Sequence, residues 1–157
     1  MNEEKARKAK EYFLQGYNCS QSVVAAWCDE IGLDIETALK VSSCFGGGMG
    51  RMREVCGAFS GALMVLGMKY GNTVGKDAKA KGENYAMVQK FAARFKEENN
   101  FDSIICREML GLTGASQPAP AARTQEYYKK RPCPELIAMA SGLLGEFMED
   151  GNANADK

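Results

Sequence analysis

Four of the six cysteines, Cys19, Cys56, Cys106 and Cys133, each stand at or near a predicted helix start, far apart along the chain. A helix start carries unpaired backbone N–H groups and the positive end of the macrodipole, and both favour a thiolate over a thiol. If the four sulfurs work together, four helix N-termini must converge. That requirement restricts the chain to a helical fold and points its chemistry towards sulfur.

The local signals differ at each position. In Gly16-Tyr17-Asn18-Cys19-Ser20-Gln21, Asn18 is a good N-cap, so Cys19 takes the first helical position ahead of Val23, Val24 and Trp27. Cys56 follows Phe45-Gly46-Gly47-Gly48-Met49-Gly50, a stretch too rich in glycine to be helical, and comes early in an apolar run from Val55 to Met68. Asp102 and Ser103 are both capping residues, and either leaves Cys106 within about one turn of a helix start. Cys133 precedes Pro134 and Glu135, which suit a cap followed by proline at the first helical position. Cys28, in the last turns of the helix that Cys19 opens, and Cys44, which closes the segment Glu36 to Ser43, lack this context and read as packing residues.

Composition narrows the chemistry. The 157 residues contain no histidine, which excludes Cys-His nucleophilic pairs, His-mediated proton transfer and mixed Cys/His zinc sites. Any metal must be held by sulfur or oxygen. Twenty basic and twenty acidic side chains cancel, so nothing in the charge favours nucleic acid or an anionic membrane surface. The polar N-terminus and the absence of a long apolar stretch predict a cytoplasmic protein, where a reducing environment disfavours permanent disulfides and favours metal binding or redox work.

Apolar periodicity is helical nearly everywhere, and no repeat or credible strand interrupts it. Residues 3 to 15 form a charged helix burying Ala6, Phe13 and Leu14, and residues 19 to 31 and 34 to 43 form the next two. Residues 55 to 70 are apolar on almost every side, which marks a central helix, and Gly57 and Gly61 would let a neighbour approach closely. Further helices follow at 82 to 99, burying Val88, Phe91 and Phe95, at 103 to 110, and at 134 to 148. Lys76 to Lys81 fits either a loop or a helix extension, and Thr113 to Pro132 carries at most a turn of helix around Thr124 to Lys129. The expected architecture is one all-α domain over 1–150, a compact bundle of about six to seven helices, with a disordered tail at 151–157.

The glycine-rich loop supplies neither the Gly-Lys-Ser/Thr ending of a P-loop nor a true G-x-G-x-x-G, because Arg51 and Arg53 occupy places where glycine is required. Consecutive glycines can still form a nest of N–H groups for an anion. Gly47, Gly48 and Arg51 are therefore candidate cofactor-binding residues, and the nest together with Arg51 or Arg53 would offset negative charge at Cys56. The plainer reading is a flexible connection with solvated arginines.

Cys56-Gly57-Ala58-Phe59-Ser60-Gly61 is a CGAxxG motif, and with Asn18-Cys19, the Gly-Gly-Gly-Met-Gly-Arg stretch at 46 to 51, Cys106-Arg107-Glu108 and Cys133-Pro134-Glu135-Leu136 the chain resembles the C-GCAxxG-C-C family over roughly residues 10 to 148. The resemblance implies a small all-helical, redox-active protein in which Cys19, Cys56, Cys106 and Cys133 take the four characteristic cysteine positions. A similar domain occurs joined to cytochrome modules, which implies a cysteine-ligated iron-sulfur cluster.

Three functions follow as expectations. The first is electron transfer or redox sensing through a cluster, most simply [2Fe-2S], held by all four cysteines. The second is thiol-disulfide exchange, with Cys56 and Cys19 as the redox thiols and Cys56 the better nucleophile. The third is a structural zinc site held by the four cysteines, although such sites usually come as two close pairs. Against all three stands a chain whose six cysteines are core residues. A redox protein is the expected partner, without nucleic acid or membrane, and a homo-oligomer is left open.

Overall fold

The structure is a computed structural model that describes residues 1–148; the expected tail at 151–157 lies outside the described residues. Helix α1 (Glu3–Leu14) starts where the Asn2 side chain accepts from Lys5 N–H, and α2 (Cys19–Trp27) starts in a reciprocal capping box of Asn18 and Gln21. Asp34 caps α3 (Ile35–Ser42), which runs on into a 3-10 turn, Ser43–Phe45, and a short segment α4 (Gly46–Met49). Helix α5 (Gly57–Tyr70) carries the CGAxxG motif. Asp77 caps α6 (Ala78–Glu98), and α7 (Cys106–Leu110) ends at Gly111 in the left-handed region. Thr124 caps α8 (Gln125–Lys130), and α9 (Cys133–Met148) completes the described chain. Among the described residues there is no strand, only one antiparallel bridge between Val55 and Ile105. The protein is all-α.

Helix α2 is enclosed by α1, α3, α5 and α9, and every one of its residues from Ser22 to Trp27 is buried. Small residues bring these helices together. A β-carbon at Gly61 would lie 2.8 Å from Ser20 O and 3.3 Å from Val23 Cβ, so α5 rests directly on α2. A β-carbon at Gly145 would lie 2.7 Å from Asn2 Cβ, which fixes the approach of α9 to the start of α1. Trp27 Nε1 donates to Ser141 Oγ at 3.1 Å, tying α2 to α9 across the core. Phe59, Phe91, Phe95 and Phe147 form one aromatic cluster, with centroids 5.2 Å apart for Phe91 and Phe147, that anchors α6 to α5 and α9. Each such side chain contributes about 1.5–3 kcal/mol by burial.

Several expected details change. The buried face of α1 is Lys5, Ala9 and Phe13, while Leu14 is 52 % exposed and Ala6 only half-buried. Lys5 is accommodated because its ammonium donates to Ala26 O at 3.0 Å, pairs with Glu30 at 3.4 Å and lies over the Trp27 ring. On α6 it is Met87, not Val88, that is fully buried. The apolar helix α5 is enclosed in its first half, but Met68 is 51 % exposed. The polar segment before residue 82 is a helix extension, since α6 already begins at Ala78. Among the described residues no helix is long and apolar enough to cross a membrane.

Candidate functional site

Cys19, Cys106 and Cys133 are the first residues of α2, α7 and α9, and Cys56 is the residue that caps α5. Two of these starts are joined by backbone pairing: Cys56 N–H donates to Ile104 O at 2.8 Å, Cys106 N–H to Glu54 O at 2.6 Å, and Arg107 N–H to Arg53 O at 3.1 Å. This short antiparallel ladder sets the segments of Cys56 and Cys106 side by side. Neither Asp102 nor Ser103 caps α7. Ser103 instead accepts from Ile105 N–H and bonds Glu108, and the helix starts only where the ladder ends.

The glycine stretch is folded against the same place. Gly47, Gly48, Met49, Gly50 and Arg51 all have φ between 63° and 69°, a run of left-handed residues closed by Gly50 N–H to Gly46 O at 3.0 Å and Glu54 N–H to Gly48 O at 3.0 Å. Left-handed backbone costs roughly 1–2 kcal/mol at each non-glycine residue, and Met49, Arg51 and Arg53 (φ 60°) all adopt it. The surrounding bonds hold it in place. A β-carbon on Gly48 would lie 2.6 Å from Cys106 Cβ, and one on Gly57 would overlap the Cys19 sulfur.

All four sulfur-bearing residues line one cavity of about 420 Å³. Gly47 and Arg51 line it as well, whereas Gly48 is buried behind Cys106. Cys28 is buried at the end of α2 and Cys44 is exposed; neither reaches the cavity. The charged residues of the lining are Arg51, Arg53 and Arg123, with no carboxylate. Arg53 is 5 % exposed; its Nη1 is 3.7 Å from Cys106 Sγ and its Nε donates to Ser116 Oγ at 2.9 Å. Arg51 Nε donates to Gln117 O at 2.6 Å, and Ser116 N–H returns a bond to Arg51 O at 2.9 Å. The irregular segment 112–123 is thus strapped across the cavity by two arginines of the left-handed turn.

The helix starts do not make Cys19, Cys56 or Cys133 acidic, contrary to the expectation from helix position. Burial pushes the Cys19, Cys56 and Cys133 thiols up, Cys133 to about 12, and proximity to one another adds to the rise. The backbone N–H groups of Gly47 and Ser20 at Cys19, and of Phe59 and Ala58 at Cys56, oppose the shift without overcoming it. Desolvation of a charge outweighs a few partial charges at a helix end. Arg131 and Arg53 pull in the same direction as those N–H groups at Cys133. Arg51 is itself pushed down, chiefly by burial and then by the charges of Arg53 and Arg131.

Ser116, Arg123 and Tyr127 are site residues that the sequence did not single out for the cavity, and Arg53, named there as a counter-charge for Cys56, lies against Cys106. Nothing in a sequence marks an arginine as buried, and the partners that bury Arg53 lie more than fifty positions away. Among the described residues no group of three His, Cys, Asp or Glu side chains is arranged to hold a metal ion. The thiols surround a space and do not close on one point.

Fold and site together define a small all-α protein with four thiols, each at a helix start, on one arginine-lined cavity. Residues 17–147 match the family described as "Putative redox-active protein (C_GCAxxG_C_C)", and the chain belongs to that family. No curated protein and no solved structure matches it.

Proposed function

We propose that Cys19, Cys56, Cys106 and Cys133 ligate an iron-sulfur cluster, most simply [2Fe-2S], used for electron transfer or redox sensing in the cytoplasm with a redox protein as partner. The observation that carries this reading is the meeting of four thiols from four helix starts on one cavity without carboxylates. An all-thiolate donor set suits such a cluster, which supplies a one-electron couple. Four sulfurs around a space suit a group containing several metal atoms better than a single zinc ion, whose ligands converge on one centre. Gly57 and Gly48 keep β-carbons away from Cys19 and Cys106, and Arg53 and Arg131 supply the positive charge that thiolate ligands require.

Thiol-disulfide exchange is less well supported, because an attacking cysteine needs a lowered pKa, whereas burial raises those of Cys56 and Cys19. The test is purification without oxygen followed by a visible spectrum and iron and sulfide analysis, on the natural protein and on Cys56→Ser. Visible bands with matched iron and sulfide, lost in the variant, support the cluster. A colourless protein with stoichiometric zinc, or with no metal and all six thiols titratable, overturns it.

A further inference from the structure

The protein carries no net charge, yet the charge at its one four-thiol cavity is of a single sign. Arg51, Arg53 and Arg123 line it, and the Arg131 guanidinium lies 5.7 Å from the centre of the Tyr127 ring in the same lining. Elsewhere arginines find acids: Arg7 pairs with Glu11, Arg94 with Glu97, Glu98 and Glu146, and Arg107 with Glu54. No such pair is formed by the four at the cavity among the described residues. Holding like charges together, one of them in a side chain only 5 % exposed, is unfavourable unless an anion shares the site.

The cysteines do not remove this excess. Four thiolates around an oxidised [2Fe-2S] core leave about two net negative charges against four guanidiniums. Arg51 and Arg53 each commit Nε to the strap, and both line the cavity. The volume of about 420 Å³ is in the range of small-molecule sites. Part of its wall is apolar and aromatic: Phe13, under the Arg123 guanidinium at 4.0 Å, together with Tyr127, Pro118 and Leu136.

We infer that the cavity binds a small organic anion beside the four sulfurs, with its negative group held by Arg51 and Arg53 and its apolar body against Phe13 and Tyr127. The inference rests on the cavity being the redox centre proposed above, and it assigns the chemical class of molecule brought to that centre. A guanidinium offers paired N–H donors that match a carboxylate, and an aromatic wall favours a planar or apolar body over a bare inorganic ion.

The experiment is calorimetric titration of benzoate, benzyl alcohol and benzylamine into the full-length protein purified without oxygen, with the visible spectrum and iron content recorded on the same sample. Benzoate is expected to bind about tenfold tighter than either analogue, and Arg53→Met to weaken it about tenfold, with part of the loss restored in Arg53→Lys. Arg51→Met, at a half-buried position, serves if Arg53→Met fails to fold, with a loss of about threefold expected. Equal binding of the three probes, no benzoate binding, or benzoate binding indifferent to Arg51→Met overturns the inference. So does binding that disappears whenever metal is loaded, because the anion would then occupy the place of the cluster. A colourless, metal-free sample that binds benzoate in this pattern sinks the cluster and keeps the anion site; a coloured, iron-loaded sample that ignores benzoate does the reverse.

Discussion

Gly57 turns a bare Cα towards the sulfur of Cys19: a β-carbon there would overlap Sγ and would also lie 2.9 Å from Phe45 O. The start of α5 and the start of α2 are therefore in contact through the one residue type that leaves room for a thiol between them. Gly57→Ala is expected to displace Cys19 and to destabilise the protein by about 1–3 kcal/mol. Gly67→Ala, on the same helix with nothing within 4 Å of the new β-carbon, should be neutral or stabilising by up to about 1 kcal/mol. Denaturant unfolding of the two variants, with iron content measured alongside, distinguishes a local clash from a general effect of removing helix glycines.

The left-handed turn gives a second contrast. Gly48 and Gly50 share nearly the same backbone, φ 67° and 63°, so alanine carries a similar conformational cost of roughly 1–2 kcal/mol at both. Only at Gly48 does the β-carbon also meet Cys106 Cβ at 2.6 Å and Arg53 Cα at 2.8 Å; at Gly50 the nearest atom is 3.9 Å away. Gly48→Ala is expected to exceed Gly50→Ala in ΔΔG by about 1–3 kcal/mol and to be the one that disturbs the cysteine cavity. Equal losses would mean that backbone strain alone decides both.

Helix starts were legible because their signals are local. Asn18 with Gln21, and proline after Cys133, announce α2 and α9 within a few residues, and the expected cysteines stand there. Ser103 looks like a cap and would start the helix at Cys106 three residues early, but it bonds Glu108 instead. What the sequence withheld is the tertiary part of the site. Met49 and Arg51 carry no mark of left-handed backbone, and Arg53 is buried by Ser116 and Cys106, both distant in sequence. Position at a helix end suggested acidic thiols, but burial is set by the whole fold and it reversed the sign.

That reversal makes alkaline pH destabilising for the reduced, metal-free protein. An unfolded cysteine titrates near 9, while burial and then the neighbouring Cys19 and Cys106 push Cys133 to about 12 in the fold. Between those values the folded state retains a proton that the unfolded state has released, so stability is full below about pH 8 and falls as pH rises through 9 towards 12. Cys56 and Cys19 are shifted in the same direction and add to the slope. Urea midpoints measured from about pH 7 to about pH 10 should decline, less steeply in Cys133→Ala. A flat profile would mean that the thiols titrate in the fold as they do in the unfolded chain, and a rise from about pH 7 towards 9 would mean that they are ionised in the fold at neutral pH.

The strap over the cavity supplies the last test. Segment 112–123 is largely exposed, and two of its bonds to the turn come from arginine side chains of different burial: Arg51 Nε to Gln117 O and Arg53 Nε to Ser116 Oγ. Arg51 is half-buried, and water can replace its contact, so Arg51→Met should cost at most about 1 kcal/mol. Ser116→Ala removes an acceptor from a guanidinium that is only 5 % exposed, which leaves a buried donor without its partner and should cost about 1–3 kcal/mol. Amide hydrogen exchange across 112–123 is expected to quicken in both variants, while global unfolding shifts clearly only in Ser116→Ala. If Arg51→Met shifts global stability as much as Ser116→Ala, the half-exposed Arg51–Gln117 bond holds the strap as firmly as the buried Arg53–Ser116 bond.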